Sequence, residues 1–159
     1  MIRIRIYEVS PEYVKYLSQY QEHIFYNDRD KASRKYIGII LEINNCRYFA
    51  PLSSFKKKHE HMREGVDFIK IKDYAVININ NMIPVPDGCY EEVDISGIRD
   101  PKYRYLLQAE SREINRQKKR ICRNAQIVYN HKLRNGVSTP LARRTNDFVL
   151  LESLEKDFK

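Results

Sequence analysis

The sequence predicts an α+β domain built around an antiparallel sheet. Two observations support this fold class. Extended patterns separated by turn residues run from the start of the chain to Pro86, and after Asp100–Pro101 the hydrophobic period changes to that of a helix. No internal repeat, low-complexity tract or linker divides the 159 residues, so we expect one domain over residues 1–159.

The first predicted elements are a strand and a short helix. Ile2, Ile4 and Ile6 alternate with arginines, which is the period of a half-buried strand. Ser10 followed by Pro11 is a typical helix start, because proline is tolerated at the first helical position.

The strongest strand signal is YIGIILEI, from Tyr36 to Ile43. Asn44–Asn45 tolerates the positive φ of a tight turn, so we predict a hairpin whose second strand covers Arg47–Ala50 and ends at Pro51. A second pair of strands is predicted over Val66–Lys72 and Tyr74–Ile79. The next segment, Met82–Pro86, is interrupted by prolines and therefore suits a sheet edge or a crossover.

One long amphipathic helix is predicted to run to about Asn130. Its apolar face is formed by Tyr103, Leu107, Ile114, Ile121, Ala125 and Val128. Its opposite face carries Arg112, Arg116, Lys119, Arg120 and Arg123. Beyond it we expect a loop over Ser138–Asn146 and a terminal strand or helix over Asp147–Phe158.

The charge of the chain predicts a polyanionic partner. Lys and Arg total 29 against 21 Asp and Glu, which gives a net charge of +8 and a pI near 9.4. The segment from Arg99 to Arg144 holds 13 Lys and Arg but 3 Asp and Glu, so it carries +10 and the remainder −2. Cations concentrated in this way suit a phosphate backbone.

Several classes of protein are disfavoured. The three cysteines, Cys46, Cys89 and Cys122, are widely spaced and form no disulfide or zinc pattern, which favours a reducing compartment. His59 and His61 are expected to be solvated surface residues rather than metal ligands. No phosphate-binding glycine loop, signal peptide or apolar run of about 18 residues is present, so we expect a cytoplasmic protein with no metal, cofactor or membrane partner.

The segment PLSSFKKKH, Pro51 to His59, is the candidate for chemistry. Two hydroxyl side chains and three amine side chains follow the end of a predicted strand, and such groups can bind a phosphate and neutralise its charge. Lys, Ser, Tyr and Arg can together activate a ribose 2′-OH and stabilise a phosphorane without a metal. A lysine run after a strand is also commonly a solvated face, so this segment leaves both interpretations open.

The stretch RKYIGIILEINNCRYFAPLSSFKKKH, Arg34 to His59, resembles the ToxN/AbiQ family of type III toxin–antitoxin endoribonucleases, which carry a similar strand, turn and strand followed by APLTSPKK-x-H. Further similar segments occur in the family's order: ININNMIPVP at 77–86, YRYLLQ at 103–108 and NDFVLLESLEKDF from Asn146. The resemblance covers nearly the whole chain.

The resemblance implies a compact, strongly curved antiparallel sheet with surrounding helices, akin to the MazF/Kid toxins. It implies a metal-independent, sequence-specific endoribonuclease that leaves a 2′,3′-cyclic phosphate on cellular RNA. It also implies a partner, a repeat antitoxin RNA folded as a pseudoknot. The toxin would process this RNA, the RNA would inhibit the toxin, and the two would alternate around a closed assembly.

The resemblance also assigns site residues. The family's Thr-Ser-x-Lys falls on Ser53, Ser54 and Lys56, with serine in place of threonine at the first position. A family tyrosine matches Tyr26, and a family lysine falls on Arg34, which stays protonated at neutral pH and would bind phosphate rather than act as a base. Lys31 and Lys35 are rivals of Arg34. The expected RNA-binding set consists of Lys31, Lys35, Lys57 and the basic face of the long helix, which carries Arg112, Arg116, Lys119, Arg120 and Arg123.

Two other functions remain open. The first is a non-catalytic nucleic-acid-binding regulator that uses the basic helix, although no second helix is placed for a helix-turn-helix. The second is a module whose basic face meets an acidic protein. A steep salt dependence of nucleic-acid binding would argue against the second.

Overall fold

The computed structural model describes residues 3–24 and 34–159. Seven strands are present in this part of the chain: β1 (Arg5–Val9), β2 (Lys35–Ile43), β3 (Cys46–Ser54), β4 (Phe68–Ile71), β5 (Ala75–Asn78), β6 (Ile83–Pro84) and β7 (Tyr90–Glu92). The helices are α1 (Pro11–Ser18), α2 (Pro101–Arg116), α3 (Lys118–Asn135), α4 (Pro140–Arg144) and α5 (Phe148–Asp157). This architecture confirms the α+β class.

All strand pairs are antiparallel, as expected, and β3 is the strand that organises the sheet. The strand order is β4-β5-β3-β2-β1-β7, and β6 also pairs with β3. On the side away from β2, the first half of β3 pairs with β6 through Tyr48 and Phe49, and its last three residues pair with β5. The strand therefore changes neighbours along its length, and its end lies between β2 and β5.

The β2–β3 hairpin confirms the strand pair predicted from the sequence. Asn44 and Asn45 have φ of 54° and 63°, the left-handed conformation that a two-residue hairpin turn needs. The expectation that Pro51 ends the second strand is wrong, since Pro51 pairs with Tyr36 inside β3. Pro51 falls between the β3 residues paired to β6 and those paired to β5, where a strand tolerates a missing N–H donor.

Both faces of β3 are covered. Tyr48 packs against Tyr129 of α3 and Phe148 of α5, with ring centroids 5.7 and 5.5 Å away. On the opposite face Phe49 packs against Tyr7 of β1 at 5.2 Å. Gly38 of β2 lies so close to Phe49 that any side chain there would collide with the ring.

The prediction of one long helix is wrong, because the helix breaks at Gln117, which has φ −95° and ψ 12°. The Gln117 side chain donates to the backbone oxygen of Lys70 at 3.4 Å, a tertiary contact that the local pattern does not reveal. The predicted apolar stripe is buried at Leu107, Ile114, Ile121, Ala125 and Val128, whereas Tyr103 is exposed. The break therefore leaves the packing register intact.

The C-terminal region is more helical than predicted. Residues 140–144 of the expected loop form α4, where Thr139 accepts a hydrogen bond from the backbone N–H of Ala142 and Pro140 occupies the first turn. The terminal segment, expected as a strand or a helix, is the helix α5, capped by Asp147. None of the helices among the described residues is long and apolar enough to cross a membrane.

Candidate active site at the end of strand β3

The two serines singled out in the sequence end β3 and lie on opposite faces of it, because consecutive strand residues alternate. Ser53 pairs with Val76 of β5, which in turn pairs with Lys70 of β4. Directly paired residues share a face, so Ser53 and Lys70 flank the buried Val76 on one side of the sheet. Ser53 is half-buried there, and Ser54 is exposed on the other side.

Arg34 precedes β2 at the same end of the sheet. The β2–β3 pairing nearest this end is that of Tyr36 with Pro51, two residues away from both Arg34 and Ser53. Burial raises the pKa of Tyr36 to about 12, and the nearby positive charge of Arg34 partly opposes this shift. Arg34 and Ser53 therefore lie at the same end of the β2–β3 hairpin, whereas Tyr26 and Lys31 lie outside the described residues.

Lys56 follows β3 and begins a single 3₁₀ turn over Lys57–Glu60. The backbone N–H of Lys56 donates to Nδ1 of His59 at 2.8 Å, and the backbone N–H of His59 donates to the Lys56 carbonyl at 2.9 Å. The side chains of Lys56, Lys57 and Lys58 are all exposed. The chain is therefore fixed at Lys56 while its ammonium group faces solvent.

The expected surface position of His59 is wrong, although His61 is exposed as predicted. His59 is 6% exposed, and its ring lies 5.6 Å from the ring of Phe55 and 5.9 Å from that of Phe68. The three-residue spacing from Lys56, which is typical of a reciprocal cap, is the one sequence signal that could have indicated this.

Lys70 is the residue of this edge that sequence reasoning missed, because its neighbours depend on strand register. Its ammonium group donates to the backbone oxygen of Glu60 at 3.4 Å, which brings it to the turn that follows Lys56. Burial lowers the pKa of His59, and the charges of Lys58, Lys56 and Lys70 lower it further. The charges of three lysines thus act on one buried imidazole.

The basic helices lie next to this edge. Glu64 connects them, since it accepts from the backbone N–H of Lys70 at 2.8 Å and pairs with Arg120 of α3 at 3.0 Å. Gln117, at the junction of α2 and α3, reaches the carbonyl of Lys70. The two segments that the sequence analysis singled out separately are therefore neighbours.

The residues predicted to bind RNA differ in their surroundings. Arg112, Lys119 and Arg123 are exposed, and Arg116 is exposed but lies 3.6 Å from Glu113. Lys35 is mostly covered and forms an ion pair with Glu8 at 2.6 Å, a contact between β2 and β1. Among the described residues, the exposed cations of α2 and α3 fit the RNA-binding prediction better than Lys35 does.

The chemistry of the site is that of hydroxyls and cations. Within residues 3–24 and 34–159 no carboxylate lies within 4.0 Å of the charged groups of Arg34, Lys56, Lys57, Lys58 or Lys70. The same part of the chain holds no group of three His, Cys, Asp or Glu side chains arranged for a metal ion. An edge of this kind can bind a phosphate ester and stabilise extra negative charge on it.

The fold and the site define a small α+β protein whose sheet has a hydroxyl-bearing, cationic edge. The family described as Toxin ToxN, type III toxin–antitoxin system, matches residues 5–156. The chain therefore belongs to the ToxN family.

Individual proteins of known name or structure are similar to this chain over most of its length. The endoribonuclease ToxN of Bacillus thuringiensis subsp. kurstaki is 30% identical over 129 residues, which cover 79% of this chain and 66% of that protein. The endoribonuclease ToxN of Pectobacterium atrosepticum is 27% identical over 98% of this chain and 94% of its own length. The structure of AbiQ, a lactococcal anti-phage endoribonuclease of a type III system, superimposes with a TM-score of 0.85 at 21% identity, covering 98% of this chain and 97% of that one. A second structure, of a toxin inhibited by a non-coding RNA pseudoknot, gives a TM-score of 0.81 at 24% identity over 98% of each chain.

Proposed function

We propose that this toxin is a metal-independent, sequence-specific endoribonuclease that cleaves RNA through attack of a ribose 2′-OH. The observation that carries the proposal is the edge at the end of β3, where Ser53 shares a face with Lys70 and the backbone of Lys56, three residues further on, is held by His59. The relatives named endoribonuclease ToxN and AbiQ support RNA cleavage as the activity.

In this reaction the 2′-oxygen forms a bond to phosphorus and the bond to the 5′-oxygen breaks. The 2′-proton passes to a base, the departing 5′-oxygen takes up a proton, and the products are a 2′,3′-cyclic phosphate and a 5′-hydroxyl. The pentacoordinate phosphorane carries one more negative charge than the phosphodiester. A fixed cation therefore stabilises the transition state more than the ground state.

Lys56 is the principal catalytic residue of this proposal, and it either protonates the 5′-oxygen or accepts the 2′-proton. Ser53 orients the 2′-OH or binds a non-bridging oxygen. Arg34 stabilises charge, because a guanidinium cannot readily act as a base. Ser54 and Tyr26 complete the catalytic set that we propose.

The test is incubation of the protein with end-labelled RNA in EDTA. We expect cleavage, with products that resist 3′-end ligation until the cyclic phosphate is opened and the resulting terminal phosphate is removed by a phosphatase. Activity that EDTA abolishes and magnesium restores would overturn the mechanism. Retention of intact RNA would instead favour the non-catalytic regulator.

We also propose that an antitoxin RNA, folded as a repeat pseudoknot, is processed by this toxin and inhibits it. The exposed basic face of α2 and α3 supports this, since it carries Arg112, Arg116, Lys119 and Arg123 beside the candidate active site. The neighbour inhibited by an RNA pseudoknot supports the same kind of partner. We extend the proposal to a closed assembly of alternating toxin and RNA, to cellular RNA substrates in the cytoplasm, and to a curved sheet of the MazF/Kid type.

RNA transcribed from tandem repeats next to the gene is the probe for this interaction, with toxin that carries Lys56→Ala so that it is not cleaved. Reversing Arg116 and Lys119 to Glu should weaken binding and make its salt dependence shallower, by roughly one unit of slope for each lost phosphate contact. Reversing the exposed Lys156 of α5 is the control and should leave the slope nearly unchanged. Equal affinity of the α2–α3 variant at several salt concentrations would exclude this face.

A further inference from the structure

His59 is a buried polar group at the candidate active site that the proposed reaction does not use. Its ring packs against Phe55 and Phe68, and its Nδ1 accepts a hydrogen bond from the backbone N–H of Lys56. With the second bond, from its own N–H to the Lys56 carbonyl, His59 binds both backbone polar groups of one residue.

We propose that His59 is a positioning residue which, in its neutral form, holds the backbone of Lys56 so that the ammonium group meets the scissile phosphate. This inference rests on the proposed ribonuclease function. The side chain of Lys56 is itself exposed, and no ion pair with a described carboxylate fixes it. Its placement therefore depends on where its backbone is held, and the two bonds to His59 hold it.

The geometry requires one protonation state. Nδ1 can accept the Lys56 N–H only when it carries no proton, so the neutral ring has its proton on Nε2. An imidazolium would place an N–H against an N–H, and the contact would be lost. Protonation of His59 would therefore release the backbone of Lys56.

The surroundings of His59 maintain the neutral form. The positive charges that act on the ring are those of Lys58 and Lys56 from its own turn and Lys70 from β4, and all three disfavour protonation of the imidazole. Burial between two phenyl rings acts in the same direction, so the pKa of His59 lies below its usual value of about 6.5. The hydrogen bond from the Lys56 N–H to Nδ1 of His59 is therefore intact at neutral pH and is lost only in acid.

Two substitutions separate the hydrogen bond from the packing. His59→Asn places an amide oxygen near the position of Nδ1 and keeps an acceptor for Lys56. His59→Gln carries the same amide one methylene further along and cannot accept at that position. We expect His59→Gln to lose about 100-fold in single-turnover cleavage at saturating RNA, since small misplacements of a reacting group have effects of this size. His59→Asn should retain most of the wild-type rate.

Three further measurements make the test specific. RNA affinity, measured in a Lys56→Ala background, should be equal in the wild-type and Gln forms, because the change acts on the cleavage step. Thermal unfolding reports the folded fraction of each variant, and rates are compared per folded molecule. The wild-type rate should show an acid limb below pH 6.5 that His59→Asn, which does not titrate, lacks.

The outcomes distinguish this inference from the function on which it rests. If wild-type protein does not cleave RNA, the proposed function fails. If wild-type protein cleaves and Lys56→Ala does not, but His59→Asn and His59→Gln are equally active or equally impaired per folded molecule, the positioning role is wrong. An acid limb that persists in His59→Asn would assign the titration to another group and would also contradict the proposal.

Discussion

The two ends of β3 have opposite electrostatic character. At its start, Oε2 of Glu152 accepts hydrogen bonds from the hydroxyls of Tyr48 and Tyr129 at 2.6 and 2.7 Å, and Oε1 accepts from Asn44 at 3.1 Å. At its end, the ammonium groups of Lys56, Lys57, Lys58 and Lys70 have no carboxylate of the described residues within 4.0 Å.

The difference separates structure from function along a single strand. Polar groups at the start are paired with each other, and they attach the hairpin to α3 and α5. Like charges at the end repel one another, which is unfavourable for folding unless an anion from outside the chain completes the site. We therefore expect substitutions at the start to change stability and substitutions at the end to change activity.

The largest effect is expected from Lys56→Ala. Loss of one charge that stabilises a transition state costs on the order of 100- to 1,000-fold in rate. We expect this loss in single-turnover cleavage, with little change in the unfolding free energy because the Lys56 side chain is exposed. Expression of the variant in cells should no longer be toxic.

Lys57→Ala and Lys58→Ala are matched controls, because they remove the same charge from the next two positions of the turn. Both should stay toxic and, at saturating RNA, cleave at close to the wild-type rate, because Lys57 belongs to the expected RNA-binding set and not to the catalytic set. If either is inactive while Lys56→Ala cleaves normally, the active-site lysine has been misplaced.

The sequence alone predicts those parts of the fold that depend on local chemistry. Local chemistry was sufficient for the β2–β3 hairpin, since Asn44 and Asn45 themselves favour the required turn. It was sufficient for the buried stripe of α2 and α3, because a break at Gln117 does not change which residues face the core. Local chemistry also identified the Ser53–Lys56 segment, whose role remains a prediction.

What the sequence could not show depends on pairing between distant segments. Pro51 lies inside a strand because β3 changes neighbours there, and Lys70 reaches the site because β4 pairs with β5 in a particular register. The spacing of His59 and His61 is too short for the i, i+4 pairing of metal ligands, which by itself favours solvated histidines. The burial of His59 requires Phe68, which comes from another strand.

The second largest effect is expected at the start of β3, from Glu152→Ala. Tyr48 and Tyr129 are 0% and 1% exposed, and burial raises the pKa of both phenols, so they remain donors. Without the carboxylate, two buried hydroxyls lose their acceptor, which should reduce the unfolding free energy by about 3 kcal/mol in urea denaturation. Glu152→Gln keeps an acceptor oxygen and should lose less.

Cleavage per folded molecule should be unchanged in both Glu152 variants. A loss of activity comparable with that of Lys56→Ala would contradict the division between the two ends. It would mean that the packing of α5 against the hairpin controls the geometry of the active site.

The smallest effect is expected from Arg47→Ala, which removes a cation near the start of β3. Arg47 donates to Asp87 at 2.8 Å and to the hydroxyl of Tyr90 at 3.0 Å, and its side chain is 45% exposed. Exposed ion pairs contribute little to stability because water and salt screen them, and Tyr90 still donates to Asp87 when Arg47 is absent.

Arg47→Ala and Lys56→Ala lower the net charge equally, so any general attraction between the protein and RNA falls by the same amount in both. A near wild-type cleavage rate for Arg47→Ala, measured beside Lys56→Ala at the same ionic strength, would show that the position of the charge matters rather than the total. A drop of about 10-fold or more would indicate that RNA contacts the whole length of β3, and the contrast between its ends would no longer hold.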